Sequence, residues 1–337
     1  MDFRKTQKAQ RKSRVVRLSG YAVALALSVG GMLAAAAAEQ QYPTKPIRII
    51  ALSSPASGPD IIGRLIGQKF TEAWGQQVIV DTRPGASGII GAEIASKSTP
   101  DGHTLMIATS QAVIVSVMYE KLPYHLLKDF SPISMLATTP FILAVHPSVP
   151  AASIKELIAY AKSKPGEFRY GSGGAGSPPH LSAEIFKSMT GINILHVPYK
   201  GVTPAMMDTV AGQVQMVISV IPAVLPTVKT GKLKALGVTS AKRSPFVPDV
   251  PAIAETVPGY EFIGWYSLVA PVGTPAGVLR KLNAEINRLL KTPEFQERIA
   301  TLGAEPISST PQELAAFMEI QTEKMRKAVK ESGARID

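Results

Sequence analysis

Within residues 170–181, YGSGGAGSPPHL, three kinds of chemistry overlap. Gly171, Gly173 and Gly176 spell G-x-G-x-x-G, the loop that lays backbone amides on a dinucleotide pyrophosphate. Ser177 and His180 stand three residues apart, where a hydroxyl could meet an imidazole base. Ser177 could also cap the helix that follows, leaving a glycine-rich turn to offer amides to an anion such as a carboxylate. The dinucleotide reading needs an acid about 20 residues on, for the ribose. None occurs in residues 192–196, and Pro178-Pro179 push the helix start past the third glycine. The nucleophile reading has no G-x-S-x-G elbow, since Gly85-Ala86-Ser87-Gly88 is one residue off. A surface loop and an anion-binding loop remain, the latter using Ser172, Gly174, Gly176 and Ser177.

A second loop has the same character. A short apolar strand at 47–51 runs into Ser53-Ser54-Pro55-Ala56-Ser57-Gly58-Pro59-Asp60 and then directly into a helix. Ser53, Ser54, Ser57 and Gly58 could meet a ligand. Asp60, an anion itself, reads as the residue that caps the helix and fixes the loop. Strand 104–108 ends in Thr109-Ser110, and strand 214–218 ends in Ser219. Ligands in open α/β sheets sit at the carboxyl ends of strands, so these four strand ends form one candidate site.

The elements that must position them alternate short apolar runs with amphipathic stretches, the pattern of βα units. Strands are expected at 47–51, 78–80, 104–108, 141–145, 168–171, 214–219 and 233–239. Helices are expected at 60–74, 154–164, 180–190, 204–211, 275–290, 293–302 and 311–332, the last three opening with Pro in or near the first turn.

The N-terminus carries seven Lys or Arg before residue 18, then an uncharged stretch ending in Ala34–Ala38. That is the form of a cleavable secretory signal over 1–38. It holds six of the eleven net positive charges, leaving about +5 on the exported chain and no basic block for nucleic acid. The absence of Cys rules out disulfides and thiolate metal sites, and the five His are scattered without metal-ligand spacing. No metal and no cofactor are expected.

One further pattern runs the length of the exported chain. It includes Tyr42-Pro43-x-Lys45-Pro46-Ile47-Arg48, Arg83-Pro84-Gly85-Ala86-x-Gly88, Pro100-Asp101-Gly102-x-Thr104-Leu105 and Leu122-Pro123-Tyr124. Lys128-Asp129-Phe130, His196-Val197-Pro198-Tyr199-Lys200-Gly201 and Leu302-Gly303-Ala304-Glu305-Pro306 continue it. In this order they resemble the Bug family, the periplasmic solute receptors of tripartite tricarboxylate transporters. The resemblance implies an α/β, two-lobed periplasmic-binding-protein fold of the type II-like, flytrap kind. Each lobe would be a mostly parallel sheet flanked by helices, with crossing strands near 133–141 and 265–270. Lobe 1 would comprise 39–139 and 268–337, and lobe 2 140–267. It also implies a monomeric binding protein, not an enzyme, that captures a small organic carboxylate and delivers it to membrane transporter subunits. Signalling to a sensor kinase, or less readily an exported hydrolase, stays open beside it. Where amino-acid-binding relatives place an Asp for the ligand ammonium, this chain has Ser219, which points to a non-amino carboxylate, bulkier and aromatic dicarboxylates included.

Overall fold

The computed structural model describes residues 42–334, so the signal read at 1–38 lies outside the described residues. All the elements below belong to one compact unit, Lys45–Asp337.

The first half alternates β1 (Ile47–Ala51), α1 (Gly58–Trp74), β2 (Val78–Thr82), α2 (Ile89–Ser96), β3 (Thr104–Thr109) and α3 (Ser110–Met118). β1 is an almost unbroken apolar run because both its faces are covered, as in a parallel sheet sandwiched by helices. β1 pairs parallel with β2 and β3. The second alternation is α4 (Ile154–Ser163), β5 (Arg169–Ser172), α5 (Pro178–Thr190), β6 (Leu195–Pro198), α6 (Val202–Val210), β7 (Met216–Val220), α7 (Ile221–Lys229) and β8 (Lys234–Val238). Here β5 pairs parallel with β6 and β7.

Two long strands join these flanks and make the sheet mixed. β4 (Phe130–Val145) runs antiparallel to β9 (Ile263–Pro271) from Phe130 to Pro140, then pairs with β7 and β8 from Phe141 onward. Pro140, which has no N–H to give a ladder, stands where β4 changes partners. The chain returns at Phe262, whose N–H donates to the Thr239 carbonyl, and from Ile263 it belongs to the first sheet. The register with β4 carries β9 back to Ile263. The result is a two-lobed α/β fold with two crossing segments, parallel pairs on each flank and antiparallel pairs along the crossers.

The C-terminal helices are α8 (Ala276–Leu289), α9 (Pro293–Ala300) and α10 (Pro311–Ser332), with β10 (Glu305–Pro306) pairing β4. α10 starts at a capping box: the Glu313 N–H donates to Thr310 Oγ1, and the Thr310 N–H donates to Glu313 Oε2. It packs on α3 and β4 and also reaches α5, with Phe317 edge-on to the buried Trp265.

Candidate functional site

A cavity of about 670 Å³ lies where the strand ends of both lobes converge. Helix N-termini surround it because each parallel strand hands the chain to a helix at its carboxyl end. α1 contributes Ser57, Gly58 and Pro59, α3 contributes Ser110 and Gln111, α5 contributes Pro178 and Pro179, α6 contributes Val202 and Thr203, and α7 contributes Pro222 and Ala223. Among the described residues lining the cavity there is no Lys, Arg, His, Asp or Glu. Its polarity comes from hydroxyls, the Gln111 amide and the partial positive charge of helix starts. Its apolar wall is built by Phe141, Met206, Val220, Trp265 and Leu302.

Of the residues expected from sequence, Ser53, Ser57, Gly58, Thr109, Ser110 and Ser219 line this cavity. Ser57 Oγ donates to the Ser54 carbonyl and lies 2.6 Å from Ser53 Oγ, so the serine loop is folded on itself. Ser54 serves that turn and does not line the cavity. Asp60 is buried within the first turn of α1. Its Oδ2 accepts the Ala56 N–H at 2.8 Å, and Arg64 pairs with its Oδ1 at 2.9 Å. Asp60 thus fixes the loop from behind and is not a cavity residue; the N-cap position itself belongs to Ser57.

The glycine loop is arranged differently from the sequence expectation. Ser172, Gly174, Gly176 and Ser177 do not line the cavity, and Pro178 and Pro179 do so in their place. The amides thought to face an anion are used inside the loop. The Gly174 N–H donates to Ser172 Oγ, the Gly176 N–H to His180 Nδ1, and the Ser177 N–H to the Gly174 carbonyl. The glycines serve backbone shape and close packing: Gly174 and Gly176 have φ of 113° and 72°. A Cβ on Gly173 would meet the Val202 side chain at 3.0 Å.

Beneath this loop lies a stack that the sequence does not reveal. The His196 ring stacks on His180 at 4.1 Å and on Tyr170 at 5.0 Å between centroids. His196 Nε2 is 2.6 Å from Ser172 Oγ. This is a Ser–His contact, but Ser172 is fully buried and also takes the Gly174 N–H, so no substrate reaches it. Ser177 Oγ accepts the His180 backbone N–H, which is a helix cap and not an activated nucleophile. Tyr199, also a motif residue, donates to Asp208 Oδ2 at 2.7 Å and braces α6.

Burial, reinforced by His180 and Lys187, pushes the His196 imidazole down to about 4. The folded state thus prefers neutral His196. The stability this provides is complete above the ordinary value near 6.5 and is lost as pH falls through about 4. Because the ring is partly solvated, the contribution is on the order of 1 kcal/mol. The urea midpoint of the protein should drop between pH 6.5 and 4, and His196→Gln should flatten that part of the profile. An unchanged profile in the variant would contradict this assignment.

Residues 62–334 match the family model described as the tripartite tricarboxylate transporter family receptor. The chain belongs to this family, the Bug receptors. BugT of Bordetella pertussis is 35% identical over 310 residues, covering 90% of this chain and 94% of BugT. Rpa4515 of R. palustris, solved with adipate, is 34% identical with a TM-score of 0.79, covering 88% of this chain and all of that one. MatC of Rhodopseudomonas palustris, solved with bound malate, is 28% identical with a TM-score of 0.75, covering 86% of this chain and all of that one. Family members are periplasmic solute-binding receptors.

The cleft of this Bug receptor also contains residues that sequence reasoning missed: Gln111, Thr139, Thr203, Trp265 and Tyr266. Gln111 and Thr203 stand one or two places into helices, where the strand-end rule would have found them had the helix starts been placed correctly. Tyr266 had no local signal. It enters because β9 runs antiparallel to β3, setting Tyr266 opposite Thr109. Its hydroxyl lies over Gly58, where an added Cβ would stand 2.4 Å from Oη. Burial pushes this phenol up to about 12, so at neutral pH it is a hydrogen-bond donor at the cavity wall.

Proposed function

We propose that this receptor captures a small non-amino carboxylate in the cleft and delivers it to the membrane subunits of a tripartite tricarboxylate transporter. The carrying observation is the ring of helix N-termini and neutral donors around a cavity whose described lining has no charged side chain. Such a lining suits an anion, since helix starts and hydrogen bonds to charged groups stabilise carboxylates by about 1–3 kcal/mol each. Its described lining offers no acid to an ammonium group, and Ser219 stands one residue before the end of β7. The apolar wall favours a ligand with a hydrocarbon body. The adipate and malate held by two relatives support the same ligand class.

In this reading the protein is exported by residues 1–38 and works as a periplasmic monomer, its lobes closing about the crossings at Pro140 and Phe262. A thermal-shift panel tests it. At a hundredfold excess over Kd, a ligand that binds only the native state adds roughly 2.7 kcal/mol. At roughly 2 °C per kcal/mol that is a rise of about 5 °C. Adipate, malate, succinate, citrate and terephthalate are the candidates, and at least one should outperform glutamate and aspartate. A flat panel, or a larger rise with the amino acids, would overturn the proposal.

A further inference from the structure

The Gly176 peptide unit is held from two sides. Its N–H donates to His180 Nδ1 at 3.1 Å, and its carbonyl accepts from Gln111 Nε2 at 3.2 Å. Gln111 lines the cavity from α3, on the first-sheet side of the fold, whereas His180 lies in the first turn of α5 in the second lobe. The bond to Gln111 therefore joins the two sides of the cleft, and its position depends on what holds the Gly176 N–H. An imidazole nitrogen accepts an N–H only when it carries no proton, so this bond requires His180 to be unprotonated at Nδ1. Adding a proton there would set two N–H groups against each other.

The surroundings leave few other titrating groups. β5 brings Tyr170 to the stack and β6 brings His196. β7 and α3, which also pack on α5, have no titratable side chain. α10 carries Glu313, Glu319, Glu323, Lys324, Arg326, Lys327, Lys330 and Glu331, of which Lys324 pairs with Glu261; the buried Tyr260 hydroxyl bonds Ser182 of α5, and α5 itself brings Glu184 and Lys187, paired with each other. Tyr170 is held far above its ordinary range by burial and by Glu184, so it stays a neutral phenol. His196 keeps its neutral form until about pH 4. Of these groups, His180 alone bonds the Gly176 N–H directly, so a response of that amide above pH 5 is assigned to it.

We infer that His180 is a positioning residue for the cleft: its unprotonated Nδ1 holds the Gly176 peptide against Gln111, and protonation frees the loop and weakens retention of a bound carboxylate. The loop step is independent of the proposed function; the retention step rests on it. Mild acid thus opens a receptor that neutral pH keeps ordered, although no Lys, Arg, His, Asp or Glu is among the described residues lining the cavity.

The test follows the Gly176 amide by ¹⁵N–¹H NMR in the ligand-free protein from pH 7.5 to 4.5. Alongside it, the Kd for adipate is measured over the same range. In the parent protein, the Gly176 amide should titrate and its hydrogen exchange, corrected for intrinsic pH dependence, should accelerate at least tenfold. His180→Asn, whose side-chain carbonyl can accept the same N–H without titrating, should show neither change. The parent's affinity for adipate should fall at least tenfold relative to the variant's, a ratio from which adipate's own titration cancels. A Gly176 amide that does not respond, or responds equally in both proteins, would overturn the positioning role. An affinity ratio constant within twofold while Gly176 titrates would overturn the coupling to retention. Failure of adipate to bind the parent at pH 7.5 would count against adipate as a ligand under the proposed function, and the Gly176 titration, which needs neither ligand nor variant, would still decide the loop step.

Discussion

Ser219→Asp is expected to bind adipate at least 100-fold more weakly than the parent, while Ser219→Asn stays within about tenfold. Ser219 is the penultimate residue of β7, is almost fully buried by its neighbours and still lines the cavity. An aspartate there introduces a negative charge among described lining residues that otherwise offer hydroxyls, an amide, helix starts and apolar side chains. Two unit charges about 5 Å apart at an effective dielectric near 20 repel by roughly 3 kcal/mol, which is about two decades in Kd. Asparagine has nearly the same shape and no charge, so it separates repulsion from crowding. The same aspartate supplies the missing partner for an ammonium group, so glutamate should stabilise the variant more than it does the parent. Calorimetric titration with both ligands checks each arm. Unchanged adipate affinity in Ser219→Asp would mean that the ligand carboxylates sit elsewhere in the cleft.

The second large effect concerns what holds α5 under the glycine loop. Glu184 is buried on that helix, accepts a hydrogen bond from the fully buried Tyr170 hydroxyl, and is paired with Lys187 Nζ at 2.7 and 3.0 Å. Lys187→Met keeps the apolar stem and removes the charge, leaving the carboxylate with a phenol as its remaining named partner. Breaking a buried pair from one side typically costs about 3–5 kcal/mol, because the surviving charge has lost both water and partner. Lys187 is itself partly solvated, so about 2–4 kcal/mol is expected here, a loss of roughly 4–8 °C in Tm. The double variant Lys187→Met/Glu184→Gln should recover at least half, since a neutral amide can still accept from Tyr170. A Tm within 1 °C of the parent for Lys187→Met would show that Glu184 carries no uncompensated charge.

Much of the architecture was readable along the chain. The βα alternation, the helices expected at 154–164 and 311–332, and the strand ends Thr109, Ser110 and Ser219 are all local features. The serine loop after β1 was readable too, because a strand that feeds a helix directly puts the intervening turn at the sheet's carboxyl edge. Asp60 holds that loop through a local partner, the Ala56 N–H four residues away, while the N-cap position it was expected to take belongs to Ser57.

The glycine loop shows where such reading stops. Its sequence specified that backbone amides would be gathered in a tight turn, and they are. Which way they face was decided by Ser172, which engages His196 from a different strand, by His180 turned back under the loop, and by α6 packed against Gly171 and Gly173. Likewise Tyr266 reached the cleft only through the antiparallel register of β9 with β3, about 160 residues apart in sequence. Periodicity and capping are short-range, so the sequence by itself determined many of the elements and which strands hand the chain to a helix at the sheet's carboxyl edge. Hydrogen-bond donors bind whichever acceptor the packed chain brings within about 3 Å. That choice involves residues far apart in sequence, so the tertiary structure alone decided which donors the cleft presents and which are spent holding its walls.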